Sequence, residues 1–220
     1  MASTLLSRRA LARFAATLCA APAIAPQRAW GQDYARMALR ADRAVVGLVP
    51  LGPLDAPMLG AIAYGLRAEL GVTVNTLPSV ALPASARTAN RRRYRAELLL
   101  DFLRPMIADP VNRVLGVTEQ DISTTAHGVA DWGILGLGDL PGPACVISLF
   151  RCRRNARSPA QVRFRMVTTC VHEVGHTLGL DHCSDTQCLM TDARGAVATI
   201  DHTSGQMCNR CRRRIGLSAR

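Results

Sequence analysis

The chain has 220 residues, room for one ordinary domain with a short appendage. Hydrophobic residues make up 49%, enough for a sizeable core, whereas aromatics make up 4%, which argues against a surface built to stack nucleic-acid bases. The formal charge is +11, yet all 27 basic residues are Arg. That absence of Lys is a compositional habit, so the charge argues less for a polyanionic partner than it would in a mixed Lys/Arg chain.

Residues 1–31 have the character of an export signal. Ser7, Arg8 and Arg9 open a charged region with Arg13 behind it, FAATLCAAPAIAP is mildly apolar, and Ala29-Trp30-Gly31 offers small residues for cleavage. The paired arginines resemble a twin-arginine signal, which exports folded protein to the periplasm or beyond. A disordered Arg/Ala-rich tail, a misplaced start codon and a cytoplasmic protein are the alternatives. Removal of Arg8, Arg9, Arg13 and Arg28 with this segment takes the formal charge from +11 to +7. No other stretch approaches the ~20 apolar residues of a membrane span.

From residue 44 the text alternates between strand and helix. AVVGLVPLG (44–52) predicts a buried strand, and 56–70 carry apolar groups at helical spacing up to Gly71. Residues 72–83 predict a second strand running into a Pro-broken loop. Within 88–108, Tyr94, Leu98, Phe102 and Met106 recur at one-turn intervals, predicting a helix with Arg91, Arg92, Arg93 and Arg95 on its solvated face. Segments 111–122, 132–140 and 144–151 predict three more strands, the last two joined by a Pro-Gly-Pro turn. The mixture indicates an α/β or α+β layered domain. Ser158 and Pro159 are a favoured N-cap and first helical residue. Phe164, Val167, Val171, Val174 and Leu178 then form one apolar stripe, so a helix is expected over 159–178, ended by Gly179.

His172 and His176 lie four apart on that helix, one turn apart on one face, where two imidazoles can meet one ion. Glu173 stands beside them, within reach of a water at the ion without being a ligand. A reversal at Gly179 brings His182 back as a third ligand. Three neutral ligands leave a fourth position open to water, the mark of a catalytic rather than a structural zinc. Glu173 is then the general base that activates the zinc-bound water toward a peptide carbonyl. The short pattern HExxH recurs by chance; HExxHxxGxxH on a capped helix is far more specific.

Cys183 and Cys188 are followed by a CxxC pair, Cys208 and Cys211. Four thiolates in two close pairs suit a closed structural zinc site, with two disulfides as the alternative. Two zinc ions per chain are therefore expected.

HEVGHTLGLDH resembles the metzincin zinc peptidases. The longer spacing HExxHxxGxxHC, four residues, CxM, seventeen residues, CxxC resembles their archaemetzincin branch. Weaker likenesses in VVGLVPLG, RRRYRAELLLDFL, VLGVTEQDI and VISLFR extend it over roughly 44–216. The resemblance implies a mixed sheet, mainly parallel, with an antiparallel edge strand over the cleft, a backing helix and an active-site helix. It implies a metallopeptidase, aminopeptidase-like in some members, acting on peptide or protein substrates. Met190 is placed as the methionine of the turn beneath the metal, an apolar floor that does not bind it; ordinary core packing is compatible with that role. By the same analogy WGILGLGDL supplies the edge strand. The expected organisation is a signal at 1–31, a catalytic subdomain at 32–182 and a C-terminal subdomain at 183–220 with the Met-turn and four cysteines.

Cys145 and Cys152 are expected to be free thiols, and Cys170 a buried helix residue. His127 and His202 are expected to be ordinary loop histidines, with assistance to substrate binding or proton transfer as the alternative. Arg210, Arg212, Arg213 and Arg214 beside the CxxC pair keep open a second class of function, a zinc-stabilised peptide- or nucleic-acid-binding protein. Glu173 weighs against it, since architecture alone does not need that carboxylate. Nucleic acid and membrane are not expected partners, and a monomer is expected.

Overall fold

The computed structural model describes residues 40–90 and 92–220. The predicted signal at 1–31 lies outside them, as does Arg91. Val45–Leu51 form β1, Ala56–Leu70 α1, Thr73–Thr76 β2, Tyr94–Arg95 β3, Ala96–Leu103 α2 and Arg113–Thr118 β4. Ile122–Ala126 form β5, Val129–Ile134 β6, Gly136–Gly138 β7, Ala144–Ser148 β8, Leu149–Cys152 α3 and Pro159–Thr177 α4. Val197–His202 and Asn209–Arg214 form the short helices α5 and α6.

The main sheet has the order β2-β1-β4-β8-β7. Its first four strands are parallel, and β7 runs antiparallel to β8 at the edge. Strands β1, β4 and β8 are buried at almost every position because both faces are covered. Alternate residues enter different cores. Leu48, Leu115 and Ile147 face α1 and α4, whereas Val49, Val114 and Val146 face α2. This is the mixed, mainly parallel sheet with an antiparallel edge strand, a backing helix (α1) and an active-site helix (α4) that the sequence resemblance implies.

Local signals explain α1. Asp55 caps it by accepting the Met58 N–H at 2.6 Å, Pro57 lies in its first turn, and Gly71 ends it at φ 68°. Its closest approach to α4 is at Gly65, where an added Cβ would fall 2.2 Å from Val167 Cγ1.

The helix predicted over 88–108 is shorter and differently phased. Tyr94 and Arg95 are drawn into a parallel pairing with Ile122 and Ser123, so α2 begins at Ala96. Its buried face is Ala96, Leu99, Leu100 and Leu103, and Leu98 is exposed. Two of the arginines expected on a solvated face are engaged, whereas Arg92 is exposed. Arg93 pairs with Asp121 at 2.8 Å and with Asp131 at 3.2 Å, and Arg95 reaches Thr125 and the Ala130 carbonyl.

The strand expected over 111–122 ends at Thr118, and the chain re-enters as β5. Together with β3 and β6 it makes a separate three-stranded sheet, order β3-β5-β6, that the sequence does not announce. The β5–β6 hairpin turns at His127 (φ 53°) and Gly128 (φ 73°), a pairing of positive φ values that suits the twist of the strands. The segment 132–140 is thus divided: its first residues belong to the hairpin, and 136–138 form the edge strand. The segment 144–151 is divided as well, since residues 149–152 turn into α3. Asp121 joins these parts by accepting from both Arg93 and Arg151, the latter at 2.7 Å.

The C-terminal segment is tied back by buried polar anchors. Glu69 of α1 accepts the Met207 N–H at 2.7 Å and the Arg220 guanidinium at 2.5 Å. Arg165 of α4 forms a two-point contact with Asp201 at 2.7 and 2.6 Å. Cys145, Cys152 and Cys170 are free and buried, as expected. No helix among the described residues is long and apolar enough to cross a membrane.

Gly65→Ala tests the α1–α4 contact. Ala is the better helix former, but the new methyl meets a Val whose χ1 is stiff, so the protein should lose about 1–3 kcal/mol in denaturant unfolding.

Candidate metal centres

The helix α4 starts as its sequence dictates. The Ser158 hydroxyl accepts the Gln161 N–H at 3.2 Å, and Pro159 occupies the first turn. Val171, Val174 and Leu178 pack into the core. Gly179 takes φ 95°, reversing the chain so that residues 180–182 fold back over the last turn. Through that reversal His182 joins His172 and His176.

One ligand atom from each of the three rings lies within 4.8 Å of the others, and the Nε2 atoms of His172 and His176 are 3.0 Å apart. Nitrogens bound to a tetrahedral zinc lie about 3.3 Å apart, so the set fits that ion. The other face of two rings is fixed. His172 Nδ1 donates to the Leu189 carbonyl at 2.8 Å and His176 Nδ1 to the Leu180 carbonyl at 2.6 Å. A carbonyl only accepts, so each Nδ1 carries the proton and each Nε2 presents a lone pair. Burial, reinforced by neighbouring His176, pushes His172 down to about 3, and burial also lowers His176. Burial thus favours the neutral form of both rings, the form a metal ligand takes.

Glu173 is 7% exposed, and its burial raises it to about 8. It does not converge with the three histidines. Instead it lies under the edge strand, which approaches closely enough to exclude side chains. A Cβ on Gly136 would stand 2.7 Å from Glu173 Cγ and Oε1, and one on Gly138 would stand 2.9 Å from the Glu173 carbonyl. The alternating glycines of GLG are the signal that marks this contact, since glycine within a strand flags a close approach. Met190 is fully buried, and its sulfur packs where a Cβ on Gly175 would be, 2.8 Å away.

The four cysteines form the other cluster. Cys183 and Cys208 sulfurs are 3.7 Å apart, and those of Cys188 and Cys211 are 3.9 Å apart. Sulfurs about 2.3 Å from a tetrahedral zinc lie about 3.8 Å from one another, whereas a disulfide needs about 2.05 Å. The set therefore fits zinc and not two disulfides. The Cys208 N–H donates to Cys188 Sγ at 3.3 Å and the Arg210 guanidinium to Cys183 Sγ at 3.1 Å, contacts that favour thiolates. The Cys183 N–H donates to the Met190 carbonyl at 2.8 Å, so the two clusters share a backbone hydrogen bond as well as the His182–Cys183 peptide link.

A cleft of about 300 Å³ opens over the histidines, floored by Thr168, Thr169 and Glu173 and roofed by β7. Trp132 and Gly133 of the hairpin approach Gly195 of the loop after Met190. A Cβ on Gly195 would lie 3.5 Å from the Gly133 carbonyl and 3.6 Å from Trp132 Nε1. His127, assigned by sequence to an ordinary loop, lines the cleft with its ring 5.1 Å from that of Trp132. His202 is exposed at the end of α5 and does not line it. Trp132, Asp192 and Arg194 also line the cleft, and no short-range pattern singles them out.

Comparison with known proteins agrees with this geometry. The model of peptidase family M54 matches residues 65–216. An archaemetzincin of Haloquadratum walsbyi is 30% identical over 178 residues, covering 77% of this chain and 98% of the relative. That of Methanopyrus kandleri is 34% identical over 130 residues, covering 59% and 70%. The crystal structure of the M. kandleri archaemetzincin superposes with a TM-score of 0.66 at 30% identity, over 76% of this chain and 91% of that one. The Archaeoglobus fulgidus archaemetzincin, solved in complex with malonate, gives 0.64 at 28% identity, over 77% and 99%. With more than half its length matched, the chain belongs to peptidase family M54, the archaemetzincins, and is a zinc metallopeptidase.

Proposed function

We propose that His172, His176 and His182 hold a catalytic zinc, that Glu173 is the general base, and that Cys183, Cys188, Cys208 and Cys211 hold a second, structural zinc. The observation that carries this reading is the convergence of three imidazoles beside a buried carboxylate, Glu173, on the helix that bears two of them. Zinc at the histidines would polarise a substrate carbonyl and acidify water. The chain's own groups do the rest. The carbonyls of Leu189 and Leu180 hold two rings in one tautomer. The free edge of β7 offers backbone groups to pair with an extended peptide. Glu173 accepts a proton from the attacking water and passes it to the leaving amine, a role worth roughly 10²–10⁴ in rate. The four-cysteine site braces the turn that carries His182 and keeps Met190 under the helix. A purely architectural protein would gain nothing from burying Glu173, so the binding-protein alternative is not favoured.

The approach of Trp132 and Gly133 to Gly195 narrows the cleft on that side. It favours cleavage near a chain terminus, and an aminopeptidase-like action is the form to test first.

Metal analysis combined with variants checks these assignments. Wild type should carry two zinc ions. Glu173→Gln should keep both and lose peptide hydrolysis by roughly 10²–10⁴. Cys208→Ala should lose one ion and unfold at lower denaturant. Absence of hydrolysis by wild type across a broad peptide library would refute the catalytic assignment.

Gly136→Ala asks whether the glycine edge matters. The added methyl pushes on the Glu173 carboxylate, so turnover should fall at least tenfold, about 1.4 kcal/mol in the barrier, with both zinc ions retained. An unchanged turnover would show that Glu173 moves freely.

A further inference from the structure

The three histidines are not held alike. His172 and His176 are enclosed, and each Nδ1 is fixed by a main-chain carbonyl. His182 is half-exposed, with 48% of its side chain accessible, and no carbonyl fixes it among the described contacts. The group that faces its Nδ1 is a carboxylate, Asp192 Oδ2, at 3.9 Å. Asp181, next in sequence, is turned to Arg214 instead, at 3.7 Å.

Asp192 is brought there by backbone. The Cys183 N–H bond to the Met190 carbonyl sets residues 182 and 191–192 side by side. The other Asp192 oxygen accepts the Arg194 N–H at 2.9 Å, which fixes the carboxylate's direction. Arg194 Nε lies 3.7 Å from Oδ2, but that side chain is 84% exposed and screened by solvent. A small rotation of the half-exposed His182 ring brings the pair to hydrogen-bond distance.

We propose that Asp192 is the positioning residue for His182. Its carboxylate accepts a hydrogen bond from the His182 Nδ1–H, leaves Nε2 as the lone pair directed at the metal, and so completes a set of three rings in one tautomer. The inference rests on the three-histidine zinc site proposed above. Removing a group that orients a ligating histidine typically costs 10–100-fold in metal affinity.

Chelator competition on zinc-loaded protein, with ¹⁵N NMR of the imidazoles in the zinc-free form, tests it. Asp192→Ala should weaken zinc at the histidine site 10–100-fold and leave the cysteine-bound zinc in place. In wild type His182 should show the Nδ1–H tautomer, and in Asp192→Ala a mixture, with His172 and His176 unchanged. Asp192→Glu should recover part of the affinity, and Arg194→Ala should change it little. Equal affinity and an equal His182 spectrum in wild type and Asp192→Ala would overturn the proposal. Should Asp192→Ala fail to fold, an Nε2–H tautomer at His182 in wild type would overturn it alone. Wild type that binds zinc only at the cysteines would refute the histidine site itself, a result distinct from a silent Asp192→Ala.

Discussion

Two imidazoles and a carboxylate must be buried on one helix. An uncompensated polar group in such a place costs several kcal/mol, more if charged. Around α4 that cost is met in different ways. His172 and His176 donate hydrogen bonds from Nδ1–H to the Leu189 and Leu180 carbonyls, main-chain acceptors that no side-chain substitution removes. For Glu173 no hydrogen-bond partner answers among the described contacts; burial raises it to about 8, which favours the neutral acid and lessens that cost, under a strand so close that only Gly136 and Gly138 fit. The sheet order follows the same need: β7 must be the edge, because its outer side faces the cleft and not another strand.

The segment beyond α4 carries His182 and Met190 and has little regular structure of its own. Two short helices of six residues each could not hold it in place. It is fastened at separate points: the cysteine cluster, the Cys183–Met190 backbone bond, Arg165 on Asp201, and Glu69 receiving Met207 and Arg220. Glu69 and Arg165 lie on the backing helix and the active-site helix, so the loop bearing the third histidine is referenced to the same rigid pair that bears the other two.

Much of this was legible in the sequence. The capped α4, the reversal at Gly179, the ligand spacings and the strands β1, β4 and β8 follow from local rules. So do the free thiols at 145 and 152. What misled was a conflict between local period and tertiary pairing. Tyr94 fits a helical stripe with Phe102, but pairing with Ile122 takes it into a strand and rotates the helix behind it. Arg93 beside it reads as part of a solvated face only because its partners, Asp121 and Asp131, are remote in sequence. The second sheet was hidden for the same reason, since its strands are short and their pairing is set by contacts 28 residues apart in the case of Arg93 and Asp121. Asp192 beside His182 is likewise a product of the fold.

The glycine edge has a consequence for how the cleft can be reshaped. Over Glu173 the strand presents no side chains, so substrate choice cannot be written into its inner face without disturbing the carboxylate. The β5–β6 hairpin and residues 191–195 line the cleft away from that strand and carry His127, Trp132 and Arg194. Side-chain changes there reshape the cleft without pressing on Glu173.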